Sequence, residues 1–403
     1  MTKNNMMITA ALAACVSAVT AEEAVDTPVS VVVPAIPEIR IDPTLHLRAV
    51  HGSTTLDSGE AERGGHDPFQ DGFNLQGMEI GASIYAGEYV RGFFTTNVYK
   101  VNGGDFESEF EEGFIKFVNL PGDFEVRAGR MLARFGDQNA RHLHGWDFVD
   151  GNMAGVRYLG EDGFAFEGAE ITWMPPTSWT DSLSIGLGSA VVHDHEHGEE
   201  EEEDHDEDDH DDDDHADEDL DDHEHDEEAE MARPIDNIVT VRYQAQFGPT
   251  DFHRFQVGAS YLTGDNGHGL TTDIYGADFT YTWRENGYEP GGKQFRWRTE
   301  WIMRDVETDE GGFEDNGYNT AVMYEFIEGW EAGLRYEWME GVADPELAER
   351  TRISPSLTKH FRLDNDISAL VRLQYNHDDI DGHGTEDSVW LQFGFDWGPG
   401  EVR

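Results

Sequence analysis

The sequence predicts an all-β fold: a transmembrane antiparallel outer-membrane β-barrel of about 16 strands, with one long acidic and histidine-rich outer loop whose composition predicts disorder. Three observations predict it. Runs of about 9 to 13 residues alternate apolar and polar with period two and end at Gly, Pro, Asn or Asp. The links between these runs are short and long by turns, as periplasmic turns and outer loops are in bacterial barrels. The N-terminus reads as a secretion signal. Mean hydropathy is −0.60 and no 18-residue apolar run occurs, which excludes a polytopic helical membrane protein. A barrel spreads its apolar residues over alternate positions and passes this test.

In chain order, Lys3 precedes the apolar run Met6 to Ala14, and Val19-Thr20-Ala21 sets small residues before acidic Glu22. Residues 1–21 therefore read as a signal peptide cut after Ala21. Cys15, the single cysteine, falls inside it, so the mature chain would hold no disulfide and no thiolate metal site. Leu12-Ala13-Ala14-Cys15 also fits a lipoprotein cleavage box, and either reading sends the chain out of the cytoplasm. Residues 22–43, with Pro28, Pro34, Pro37 and Pro43, read as an extended periplasmic leader. In it, Asp26-Thr27-Pro28-Val29-Ser30-Val31 faintly resembles the energy-coupling box of TonB-dependent receptors. Strand-like sequence begins near Thr44 and leaves no room for the plug domain such receptors need, so TonB-type coupling is not expected.

The barrel is expected over 44–397. Alternation is plain in Phe295-Arg296-Trp297-Arg298-Thr299-Glu300-Trp301, where aromatics take one face and charges the other, and in Trp330 to Trp338 and Val371 to Tyr375. Strands are placed near 44–52, 73–86, 88–101, 109–119, 123–133, 164–174, 181–192, 236–247, 251–263, 271–285, 294–306, 317–327, 330–341, 349–361, 366–377 and 387–397. Short links such as Gly87, Pro121-Gly122 and Glu328-Gly329 fall on one side; 53–72, 134–163, 193–235, 307–316 and 378–386 fall on the other. A seventeenth candidate, Gly155 to Leu159, would invert everything after it and is left inside the 134–163 loop. Trp173, Trp179, Trp283, Trp330 and Trp397, near strand ends, suit the two interfacial girdles of an outer-membrane barrel.

The stretch Asn119-Leu120-Pro121-Gly122-Asp123-Phe124-Glu125-Val126-Arg127-Ala128-Gly129-Arg130 runs through Arg134-Phe135-Gly136 to His142-Leu143-His144-Gly145-Trp146-Asp147-Phe148-Val149-Asp150. It resembles a family of porin-like outer-membrane proteins described as zinc-regulated, TonB-dependent outer-membrane receptors. Residues 272–278 and 373–376 look similar too, so the resemblance covers most of the mature chain. It implies an outer-membrane barrel whose production is tied to zinc supply. Arg-Phe-Gly closing a strand before a long loop also resembles the phosphate- and carboxylate-selective porins in architecture. Residues 398–403 depart from the terminal aromatic that many such barrels use as an assembly signal.

The net charge is −57, from 84 acidic and 27 basic residues, which excludes nucleic acid as a partner. Nearly half of it sits in His193 to Glu230, where 38 residues hold 26 acids, eight histidines and no lysine or arginine. His193, His195, His197, His205, His210, His215, His223 and His225 stand in mixed registers, with no recurring tetrahedral spacing, so weak multi-site binding of zinc or a related dication is expected rather than one preformed site. The plainer reading is a solvated polyelectrolyte that keeps an outer loop soluble.

Inward charges of both signs, Arg127, Arg296, Arg298 and Arg335 among them, are expected to set a transverse field across an aqueous channel. Sixteen strands leave that channel open unless a loop folds in, and 134–163 is the candidate constriction, with Arg134, Arg141, His142, His144, Trp146 and Asp147 at it. The expected function is a porin-like channel for small solutes that gathers and admits zinc or a related dication as cargo, with no tightly bound cofactor. An anion porin, and a receptor or adhesin barrel with a calcium-binding loop, are the alternatives; a −26 segment at the entrance would repel anions. No catalytic signature occurs, so no enzyme is expected. The partners expected are membrane lipid and dications. Barrels of this size are often trimers, and no residue here fixes the oligomeric state.

Overall fold

The computed structural model describes residues 38–55, 62–101, 106–191, 232–309, 311–342 and 347–402. The signal peptide and the 193–230 insert, with all eight of its histidines, lie outside the described residues. Sixteen antiparallel strands close into one barrel in sequence order, β16 returning to β1. They are β1 (Ile39–Thr54), β2 (Gly72–Ala86), β3 (Val90–Lys100), β4 (Phe106–Leu120), β5 (Phe124–Leu132), β6 (Ala165–Trp173), β7 (Thr180–Ala190) and β8 (Pro234–Thr250). β9 (His253–Asn266), β10 (Thr271–Arg284), β11 (Gln294–Val306), β12 (Phe313–Ile327), β13 (Trp330–Met339), β14 (Arg350–Asp364), β15 (Ile367–Ile380) and β16 (Gly384–Trp397) complete the ring. Each expected strand is present, and the even count keeps every long loop at one end.

The strands are inside out relative to a soluble sheet. Along β15, Arg372, Gln374, Asn376 and Asp378 are buried while Leu373 and Tyr375 are exposed. Polar side chains line the lumen and apolar ones face outward, as lipid demands. Trp173, Trp179, Trp330 and Trp397 are exposed at the short-turn end, where an interfacial girdle belongs.

Three features differ from the expected layout. β1 begins at Ile39, ahead of the expected boundary at 44, because residues 39–44 pair only with β2; Pro43 is tolerated on that free edge. β8 begins at Pro234, and the register Gly188↔Ile238 shows β7 and β8 paired directly where the insert departs. The rejected strand at Gly155 to Leu159 belongs to a helix, α1 (Met153–Leu159), capped by Asn152, whose side chain accepts from the Gly155 N–H at 2.6 Å. Seven residues make a helix only when packing supports them. Here Ala154, Tyr158 and Leu159 join Phe135, Phe166, Leu262, Ile274 and Ile302 in an apolar cluster inside the barrel.

Candidate functional site

The loop between β5 and β6 folds into the lumen. It turns inward at Gly136, whose φ is +59° and where a Cβ would stand 1.5 Å from Glu300 Oε1, so only glycine fits. Arg134 pairs with Glu170 on β6 at 3.2 Å, and Phe135 enters the apolar cluster. The loop then reaches β12 through Gln138, which donates to Asn319 at 2.9 Å, and β4 through His142. β4 and β12 stand eight places apart in the ring, so the loop crosses the lumen.

One wall is basic. Asp147 accepts from Arg296 at 2.5 Å and from Arg298, while Arg141 lies 3.8 Å away. Asp150 accepts four hydrogen bonds: Arg335 at 2.6 Å and Gln374 at 2.7 Å on one oxygen, Arg352 at 3.0 Å and Asn376 at 2.7 Å on the other. Burial alone would raise the pKa of Asp150, but Arg335, Arg352 and the Gln374 amide outweigh it and hold the carboxyl at about 2. Asp147 is likewise held below the usual range, Arg296 and Arg298 overcoming its burial. Arg372 donates to the backbone oxygens of Phe148 and Trp146. Between loop and wall lies a cavity of about 70 Å³ lined by Gln138, Arg141, Arg298, Glu300, Asn319 and Arg335, room for several waters.

The opposite wall is acidic and carries histidine. A bulge in β4 places Glu111 and Glu112 side by side in the lumen, and they hold both ring nitrogens of His142 at 2.9 and 2.8 Å. Burial disfavours the charged ring, yet the two carboxylates prevail and raise the His142 pKa well above its ordinary value. With both nitrogens engaged by carboxylates, His142 anchors the loop to β4. His144 Nδ1 bonds Glu79 on β2, and its ring stacks on His46 of β1 at 3.7 Å. His66 lies 3.4 Å from Asp162 and 3.8 Å from Glu111. Three groups here could hold a metal ion, each with donor atoms within 4.8 Å of one another: His46, His144 and Glu401; His66, Glu109 and Asp162; Glu79, Glu111 and His142.

Of the residues singled out from sequence, Arg141, Arg296, Arg298 and Arg335 come together at the basic wall, and His142 and His144 at the acidic one. Arg127 and Arg134 do not join them; both hold Glu170 in the wall at β5 and β6. Sequence reasoning missed His46, Glu111, Glu112 and Glu401. The run Glu109-Phe110-Glu111-Glu112 breaks strict alternation and was a readable sign of the bulge. Nothing in the alternation marked Glu401.

No protein-family model matches the chain. Over 105 residues, 26% of this chain, it is 29% identical to an uncharacterized protein of Aquifex aeolicus, and the matched stretch spans about a fifth (21%) of that relative. Among solved structures, it is similar to an anion-selective porin from Comamonas acidovorans, with a TM-score of 0.54 and 12% identity over 90% of this chain and 100% of that one. It is similar to the outer-membrane channel DcaP of Acinetobacter baumannii (0.54, 8%, covering 91% and 98%) and to OprB of Pseudomonas putida (0.54, 9%, covering 90% and 94%). The fold is thus that of the outer-membrane porins, and the chain is a β-barrel of the bacterial outer membrane. Among the described residues no plug domain stands in the lumen; the element that crosses it is the 133–164 loop.

Proposed function

We propose that this chain is a porin-like channel that admits small solutes and favours cations, zinc-class dications among them. One observation carries the reading: the inward loop lays its carboxylates on the arginine wall and its histidines on the carboxylate wall. Asp147, Asp150 and loop carbonyls take up Arg296, Arg298, Arg335, Arg352 and Arg372, the groups that would draw anions. Across the lumen the four carboxylates of Glu79, Glu109, Glu111 and Glu112 face His142, His144 and Arg130, so this wall keeps a negative balance that favours a cation. The −26 insert leaves from the same outer end and concentrates dications at the mouth. The resemblance to zinc-regulated outer-membrane proteins points the same way.

Purified protein in a planar bilayer under a KCl gradient tests this. Stepwise conductance with a reversal potential of the cation-selective sign is expected. The opposite sign would establish the anion porin, and a silent bilayer would remove the channel reading.

A further inference from the structure

We propose that His66, Glu109 and Asp162 form a binding site, in the outer half of the lumen, for one divalent cation of the manganese-to-zinc series. The site gives the dication reading above a place of capture, and its purpose rests on that reading. Its existence does not depend on conduction.

The three residues come from three parts of the chain. His66 stands in the loop between β1 and β2, where the Gln76 amide donates to its backbone oxygen at 2.9 Å. The next residue, Asp67, ties that loop to the inward one: its carboxylate accepts from the Gly64 N–H at 3.0 Å and from the Gly151 N–H at 2.7 Å. Asp162 lies at the end of the inward loop, just before β6, and comes so near the first loop that a Cβ on Gly65 would stand 2.4 Å from its Oδ1. Glu109 enters from the outer end of β4, directly across the strand pair from Asn97 of β3, so that both side chains share the lumen face.

A single imidazole serves the site, and it is 4% exposed. His66 Nε2 lies 3.4 Å from Asp162 Oδ1 and 3.8 Å from Glu111 Oε1, and the donor atoms of His66, Glu109 and Asp162 all lie within 4.8 Å of one another. An ion with bonds of about 2.0–2.2 Å holds tetrahedral donors about 3.4 Å apart. His66 and Asp162 already have that spacing, and a side-chain rotation of Glu109 closes the set. Two oxygens here lack partners. Asp162 Oδ1 is buried and accepts no hydrogen bond. Asn97, 0% exposed, has its Nδ2 3.3 Å from His66 Nε2 and 3.5 Å from Glu111 Oε1, while its Oδ1 accepts no hydrogen bond. A half-turn of that amide exchanges Nδ2 for Oδ1 and brings a carbonyl oxygen to the cluster. Orphaned oxygens beside a buried imidazole call for a cation. Glu109, Glu111 and Asp162 set three negative charges against the one of Arg130, with His142 offsetting Glu112, and a dication neutralises the remainder. A protonated His66 resting on Asp162 is the plainer reading, and it leaves both orphaned oxygens unexplained. One imidazole among carboxylate and amide oxygens suits manganese, iron(II), cobalt or zinc.

The test is manganese binding by the full chain in detergent, read from loss of the free-ion EPR signal, with folding read from heat-modifiable gel mobility. Wild type is expected to take up one equivalent tightly, ahead of the weak sites of the outer insert, and to release it to zinc, which binds such donors more strongly. H66Q and D162N lose that equivalent and keep the weak uptake, since the insert is present in every variant. N97L, which changes no charge, is expected to weaken the tight equivalent about 10- to 100-fold. H377Q, on the outward face of β15, leaves it intact. A wild type without a tight equivalent, equal affinity in H66Q or D162N, or a matching loss in H377Q would overturn the site. A bilayer without conductance bears on the channel alone.

Discussion

Asp150 is a single carboxylate that ties the loop to β13, β14 and β15, and its depressed pKa makes the tie sensitive to acid. A folded value of about 2 against about 4 unfolded means that its stabilisation, on the order of 2 kcal/mol, is full above about pH 4 and is lost as pH falls through about 2. The contribution of Asp150 to thermal stability is therefore expected to be constant from pH 7 to 5 and to fall away below pH 4, seen as a shallower acid limb in D150N than in wild type. An unchanged acid limb in that variant would show that Asp150 is not the tie. At the same scale, Tyr158 is buried in the apolar cluster with its hydroxyl unbonded. Y158F is expected to be neutral or stabilising by up to about 1 kcal/mol and Y158A to cost about 3–5 kcal/mol, read from denaturation midpoints. Sequence reasoning pointed to Asp147 and His142 as members of the 134–163 loop expected to fold into the lumen. It could not name the partners of Asp150, since Arg335, Arg352, Gln374 and Asn376 lie on strands far along the chain.

Among the elements, the strands were legible because lipid outside and charge inside impose alternation residue by residue, as in Arg372 to Asp378. Loop parity then placed every long loop at one end. Two kinds of element were not legible. α1 is too short to show a helical period, and it exists because Tyr158 and Leu159 find an apolar wall at Leu262, Ile274 and Ile302. The β4 bulge shifts the register by one residue and puts Glu111 beside Glu112, which alternation alone would have split between lumen and lipid. The docked loop is held by ion pairs on both walls and by the apolar cluster. Freeing it by D147N/D150N is expected to raise single-channel conductance; an unchanged conductance would show that the loop does not limit the pore.

For the whole molecule, the charge of −57 divides into an insert of −26 and a moderately acidic barrel whose lumen holds both signs apart. Because β7 and β8 pair directly beside the insert, deleting 193–230 is expected to leave the barrel folded, with heat-modifiable mobility retained, while zinc capture at low concentration falls. Zinc entry into proteoliposomes loaded with a zinc-responsive dye tests the proposed passage of dications through this barrel most directly. Entry well above that of protein-free vesicles, faster than phosphate entry measured in parallel, is the expected result. Zinc entry no faster than in protein-free vesicles would contradict it.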